Sequence, residues 1–305
     1  MPIGVFDSGL GGLTVAREIA RALPEESLVY LGDTARCPYG PRDQDEVRRF
    51  VVEIGSLLAA RPVKLIVIAC NTATAAGLTL AQRLFDVPVI GVVEPGSRAA
   101  VRATRNRRVG VIGTQGTIES GAYSRSVRAL DAGVTVFSAA APRFVDIVEE
   151  GLRRGSGPVE DLLADSANVF VRPSFHAIAR DYLDPLKRSG IDTLVLGCTH
   201  FPLLASAIRS VTGSRVELIS SAAETAREVA ETLARRDHLA PAGSIPTREF
   251  ITTGDAEEFE RLGSRVLGHG TGPVESLTIA DLEALAAPWL AARAEDIANE
   301  GASCA

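Results

Sequence analysis

The sequence predicts an α/β protein built from two related units that face each other, each with a mainly parallel sheet. Three observations predict it. Short β-rich runs alternate with amphipathic segments of helical length, the pattern of parallel strands joined by crossover helices. The opening "IGVFDSGLGG" from Ile3 is echoed by "VGVIGTQGTI" from Val109, each a strand ending in a polar, glycine-rich turn. Two further strands, one in each half, end in a cysteine: "LIVIACNTATAA" from Leu65 and "TLVLGCTHFPLL" from Thr193.

The strand-like runs follow in order. "IGVF" and "SLVYLG" open the chain, and "VKLIVIAC" and "VPVIGVV" complete the first unit. "RVGVIGT", "VTVFSA" and "DTLVLGC" form the second, and "RVELIS" and "REFITT" come after the second cysteine strand. These last elements exceed what a copy of the first unit needs, so they are read as returning to it. The expected domains are therefore 1–95 with 207–305, discontinuous, and 96–206. Residues Arg153 to Pro173 read as an insertion in the second unit. The tail from Leu277 reads as an amphipathic helix interrupted at Pro288, packing on the body or on a second subunit.

Composition narrows the function. The 305 residues carry a formal charge of −6, with 46% hydrophobic and 23% charged residues, which gives no electrostatic reason to expect nucleic acid. The arginines Arg102, Arg105, Arg107 and Arg108 read as a solvated helix end. The start of the chain has no basic, cleavable leader, and no apolar stretch approaches the roughly 20 residues that cross a bilayer. A cytoplasmic enzyme acting on small molecules is the expectation. Cys37, Cys70, Cys198 and Cys304 are widely spaced and include no CxxC pair, which argues against a disulfide framework and a zinc knuckle.

In a parallel sheet, ligands bind beyond the carboxyl ends of the strands, where the following helices present free N–H groups. Cys70 and Cys198 both fall there, and a helix N-terminus is expected to lower a thiol pKa. Their polar neighbours suit an amino acid. Asp7 and Ser8, Asp33 and Thr34, Asn71 and Thr72, Thr114 and Thr117, and Thr199 and His200 all stand at strand ends. Hydroxyls and N–H groups there suit a carboxylate, and acidic side chains suit an ammonium group. If the strand continues past Cys198, His200 projects to the same side as the sulfur. Glu149 has no support from spacing alone. The turn "DSGLGGLT" lacks the third glycine of a dinucleotide fingerprint and the lysine of a phosphate loop.

On these residues the sequence resembles the glutamate racemases. The matching segments are "GVFDSGLGGLTV", "YLGDTARCPYG", "ACNTATAA", "VEPGSRAA", "GVIGTQGT", "DTLVLGCTHFPLL" and "FITTGD", from Gly4 to Asp255. The resemblance implies a pseudo-symmetric pair of domains with the active site in the interdomain cleft. It implies that Cys70 and Cys198 are the two bases, with Asp7, Ser8, Tyr39, Gly40, Asn71, Thr72, Thr199 and His200 around glutamate and Thr114 and Thr117 as second-domain hydroxyls. Asp33, Glu149 and His200 fall at supporting acid–base positions. It further implies D-glutamate supply for peptidoglycan, no cofactor, no metal, and a homodimer. Ala141 and Asp146 replace a usual cysteine and proline ahead of Glu149, and Ser220 replaces a usual aspartate.

Two thiols suit racemisation because one face of the α-carbon loses a proton while the other gains one. The expected pairs are Cys70 with Asp7 and Cys198 with His200, and the resemblance implies that Cys70 acts on D-glutamate and Cys198 on L-glutamate. Neither lysine, Lys64 or Lys187, stands at a strand end where pyridoxal phosphate would be held. Three alternatives stay open: an aspartate racemase of the same superfamily, a thiol hydrolase using Cys198 and His200, and a non-catalytic amino-acid binding protein or protein-interaction module.

Overall fold

A computed structural model describes residues 1–158, 173–288 and 290–291. Residues 159–172, inside the expected insertion, and Cys304 lie outside the described residues. Among the described residues the strands form two all-parallel sheets. The first runs in the order β10 (Val274–Ser276), β9 (Arg248–Thr252), β2 (Leu28–Gly32), β1 (Ile3–Asp7), β3 (Leu65–Ile68), β4 (Val89–Gly91). The second runs β6 (Thr135–Ala140), β5 (Arg108–Gly113), β7 (Thr193–Gly197), β8 (Glu217–Ser220).

The central strands are buried along their whole length, as parallel strands covered on both faces must be. Their β-branched and leucine side chains meet helices on each side. Helix α2 (Gln44–Ala60) packs with α3 (Asn71–Leu84), α4 (Val93–Ala103) with α6 (Ala122–Leu130), and α10 (Ser221–Arg235) with α1 (Leu13–Ala22). Helix α10 also touches α4, so it rests on both halves before the chain returns to β9. The remaining helices are α5 (Gln115–Glu119), α7 (Arg143–Arg154), α8 (Pro173–Arg188), α9 (Ala205–Thr212) and α11 (Ala256–Leu267).

The expected return to the first sheet is made by β9 and β10, yet the boundary at residue 207 differs from the strand pairing. Strand β8 pairs with β7, Leu196 opposite Ser220, and so completes the second sheet. The chain crosses back only after α10. Strand β10, "VES", is absent from the sequence reading because three residues with one apolar side chain give no periodic signal. The tail helix, residues 279–288, packs on the body through the fully buried Leu282 and Ala286 and continues through Pro288.

Strand order reverses once in each sheet. The chain goes from β1 to β2 on one side and then places β3 on the other; from β5 it goes to β6 and then places β7 opposite. Such a switch leaves a crevice beyond the carboxyl ends, where the two loops diverge. In the first sheet the register Phe6 to Ile68 sets Asp7 and Ser8 beside Ala69 and Cys70. In the second, Gly113 opposite Gly197 sets Thr114 beside Cys198.

Candidate active site

Cys70 is the N-cap of α3, and its Sγ accepts the Ala73 N–H at 3.4 Å and lies 3.7 Å from Ser8 Oγ. The helix N-terminus is therefore present as expected, but the lowered pKa is not. Burial, with the Asp7 carboxylate next in weight, pushes the Cys70 thiol up to about 12. The Ala73 N–H and the Ser8 hydroxyl do not offset the loss of water around a sulfur that is almost fully enclosed. The charge of Cys198 also acts on Cys70, the smallest of these influences.

The glycine turn after β1 closes on its own aspartate. Gly9 and Gly12 donate their N–H groups to Asp7 Oδ2 at 3.1 and 2.9 Å. Asp7 Oδ1 is buried without a partner among the described residues. Burial raises the Asp7 pKa, against a lowering pull from His200 and the turn's N–H groups. Its direct neighbours are thus the turn itself. It acts on Cys70 through charge, while Ser8 makes the contact with the sulfur.

Strand β7 stops at Gly197, so the premise of a strand continuing to His200 does not hold. Cys198 leads into a turn, and His200 has helical dihedrals at the start of a 3₁₀ turn, Phe201–Leu204. That turn still brings His200 Nδ1 to 3.7 Å from Cys198 Sγ. On the other ring edge, His200 Nε2 lies 3.6 Å from Glu149 Oε1, an ion-pair distance. Burial pulls the imidazole pKa down, but Cys198 and Glu149 more than reverse this and hold it up at about 10. Glu149 is drawn below the usual carboxylate range by His200, against its partial burial.

Glu149, the residue with least support from spacing, is carried by α7 to this position. Asp146 sits in the first turn of α7, where an acidic residue favours the helix dipole, and Ala141 is fully buried just ahead of it. Ser220 caps α10 by accepting the Ala222 N–H at 3.4 Å, a task its usual aspartate counterpart would share.

Hydroxyls from the two halves meet directly. Thr72 Oγ1 lies 2.8 Å from Thr114 Oγ1 and 3.2 Å from Thr117 Oγ1, and Thr114 and Thr117 are 3.0 Å apart. The Gly40 carbonyl accepts the Gly116 N–H at 2.9 Å, and a Cβ on Gly40 would lie 2.9 Å from the Cβ of Thr114. The Thr199 carbonyl accepts from the Thr14 hydroxyl at 3.2 Å. Asp33 is differently placed: Arg36 Nε at 2.7 Å, the Tyr39 hydroxyl and Thr253 Oγ1 at 2.7 Å occupy both carboxylate oxygens. It anchors Tyr39 in a buried knot that includes Glu53, 2.5 Å from Arg36 Nη1.

The model of the Asp/Glu/hydantoin racemase family matches residues 3–229. A glutamate racemase of Corynebacterium diphtheriae is 48% identical over 274 residues, covering 90% of this chain and 97% of that protein. The chain belongs to the Asp/Glu/hydantoin racemase family. Among solved structures, a glutamate racemase isoform from Bacillus anthracis superimposes with a TM-score of 0.82 at 43% identity, covering 91% of this chain and 97% of that one. The Francisella tularensis glutamate racemase, solved with D-glutamate, gives 0.80 at 29% identity, with 93% and 98% covered.

Within this racemase fold, sequence reasoning passed over three residues. Cys37 Sγ lies 3.8 Å from Glu149 Oε1, and a recess of about 150 Å³ opens beside them, lined also by Gly9, Arg153 and Glu258. Gly11 stands so close to Thr199 and His200 that a Cβ would meet both. Tyr123 reaches Asn71. "RCPYG" and "SGLGG" were visible as motifs; Tyr123 carried no local signal. Lys64 is paired with Glu26 at the far end of the first sheet, and Lys187 Nζ donates to Val211 O at 2.6 Å. Among the described residues no group of three His, Cys, Asp or Glu is placed to hold a metal ion.

Proposed function

We infer that the chain is a glutamate racemase, an isomerase that interconverts L- and D-glutamate by passing the α-proton between two thiols. One observation carries this: two buried cysteines, one after a strand of each sheet, stand at the two switch points, where Thr72 beside Cys70 meets Thr114 and Thr117 of the other half. In this reading Cys198 takes the α-proton of L-glutamate and Cys70 delivers one to the opposite face. Cys70, with its pKa at about 12, holds its proton in the ligand-free site, ready to donate. Protonated His200 sets a positive charge 3.7 Å from the Cys198 sulfur, where a thiolate would form. Glu149 keeps that charge in place from behind.

As the α-proton leaves, negative charge spreads onto the α-carboxylate. Asn71, Thr72 and Thr199 are the donors assigned to it, in a site that excludes most water. Asp7, with one oxygen unpartnered, is assigned to the ammonium group. The product then supplies peptidoglycan synthesis in the cytoplasm, and the working form is a homodimer, which sedimentation of the purified chain reads directly.

The test is incubation of the purified chain with L-glutamate or L-aspartate, without added cofactor, followed by polarimetry. Loss of rotation with glutamate supports the reading. Loss with aspartate alone selects the aspartate racemase. The line from Cys198 through His200 to Glu149 also resembles a hydrolase triad; turnover of thioester or amide substrates by Cys70→Ala, with no racemisation by the parent chain, would select that rival.

A further inference from the structure

Tyr123 is almost fully buried on α6, on the side of the second sheet. Its ring packs under the end of β7: a Cβ on Gly197, the residue before Cys198, would sit 2.9 Å from Tyr123 Cε2. Its hydroxyl donates to Asn71 Oδ1 at 2.7 Å, and Asn71 directly follows Cys70. One side chain therefore touches the backbone ahead of one thiol and the side chain behind the other.

This bond decides which way the Asn71 amide faces. In the structure the tyrosine hydrogen and the amide oxygen satisfy each other, and the buried Asn71 Nδ2 is left without a partner among the described residues. Turned over, the amide nitrogen would donate to the phenol oxygen. The phenol hydrogen would then turn to the Ser221 hydroxyl beside it, and the amide oxygen would be buried and unpaired. The structure has the first arrangement, in which the amide nitrogen is the group left free to meet a ligand. Burial, opposed by a hydrogen bond from Ser221 and aided by the Cys198 charge, keeps the phenol protonated well above its ordinary pKa, so it remains a donor.

An unpaired buried N–H₂ beside Cys70 is a donor awaiting an acceptor. We propose that Tyr123 is a positioning residue that locks the Asn71 carboxamide with its N–H₂ group toward the substrate, where it donates to a glutamate carboxylate. The proposal rests on the glutamate reading. Because that carboxylate gains charge as the α-proton leaves, the bond strengthens along the reaction, and both binding and turnover depend on the amide's orientation.

Tyr123→Phe keeps the ring and removes the donor. The dissociation constant for D-glutamate, measured by calorimetry, should rise about tenfold or more, with kcat also reduced and the melting temperature modestly lowered because the buried Asn71 oxygen loses its partner. In an Asn71→Ala background the same substitution should add almost nothing. Asn71→Asp, which presents an oxygen where the nitrogen stood, should bind glutamate more weakly than Asn71→Ala. Unaltered affinity in Tyr123→Phe, an equal loss in the Asn71→Ala background, or Asn71→Asp binding as well as Asn71→Ala would each overturn the proposal. If the parent chain binds no glutamate, the glutamate reading has failed; if it binds and Tyr123→Phe is indifferent, only the positioning role has.

Discussion

Glu149→Gln removes one negative charge 3.6 Å from His200 Nε2 while preserving the shape of the side chain. At an effective dielectric of about 20, Coulomb's law gives about 4 to 5 kcal/mol for unit charges at that separation. A quarter of the Glu149 side chain is open to water. Screening through that opening leaves about 1 to 3 kcal/mol, or about one to two powers of ten in the imidazole's protonation equilibrium. His200, held at about 10 with Glu149 present, should then titrate at roughly 8 to 9. Nitrogen NMR of the ring through a pH series reads this directly. The alkaline limb of kcat/KM for L-glutamate should move down with it, because the positive charge beside Cys198 is lost at lower pH. A His200 midpoint unchanged in Glu149→Gln would refute the assignment of Glu149 as the group that holds the imidazole's proton.

Gly11→Ala places a Cβ within 2.6 Å of His200 Nδ1; the imidazole must move off Cys198, so activity should fall about tenfold or more for a stability cost of about 1 to 3 kcal/mol, read by steady-state rates and thermal melting. Stability should fall as pH rises through the alkaline range. His200 is protonated up to about 10 in the fold against an ordinary 6.5, so its contribution is complete below 6.5 and fades through 10. Cys70, at about 12 against an ordinary 9.0, acts in the same sense from 9 upward. The urea midpoint should therefore drop steadily from neutral pH to about 11, and a flat profile would contradict both shifts. Glu149 sets the other limb: its depressed pKa gives stability above the ordinary carboxylate value that is lost as pH falls through the folded one.

Much of the fold was legible because parallel strands buried on both faces leave dense apolar runs, such as "LIVI" and "TLVLG", with polar residues massed at one end. The same massing revealed the edge on which Cys70 and Cys198 stand. What stayed hidden depended on contacts between distant segments. Nothing in "RVELIS" tells that β8 pairs with β7 and not with the first sheet, because both sheets need the same kind of strand. The Cys70 pKa could not be read from a helix start, since its direction is set by burial and by Asp7, 63 residues earlier in the chain. Asp33 shows the reverse case: a strand-end aspartate that looks free in sequence is consumed by Arg36, Tyr39 and Thr253. Tyr123 was illegible because a buried tyrosine on a short helix has no motif, only a partner 52 residues away.

The central claim is that one sulfur takes the α-proton and a different sulfur supplies its replacement on the opposite face. Protiated L-glutamate turned over in D₂O and stopped at low conversion tests it most directly. The account predicts deuterium at the α-carbon of the D-glutamate formed and protium retained in the recovered L-glutamate. D-glutamate carrying the original protium, or deuterium entering the L-isomer as fast as the D-isomer appears, would mean that a single group serves both faces.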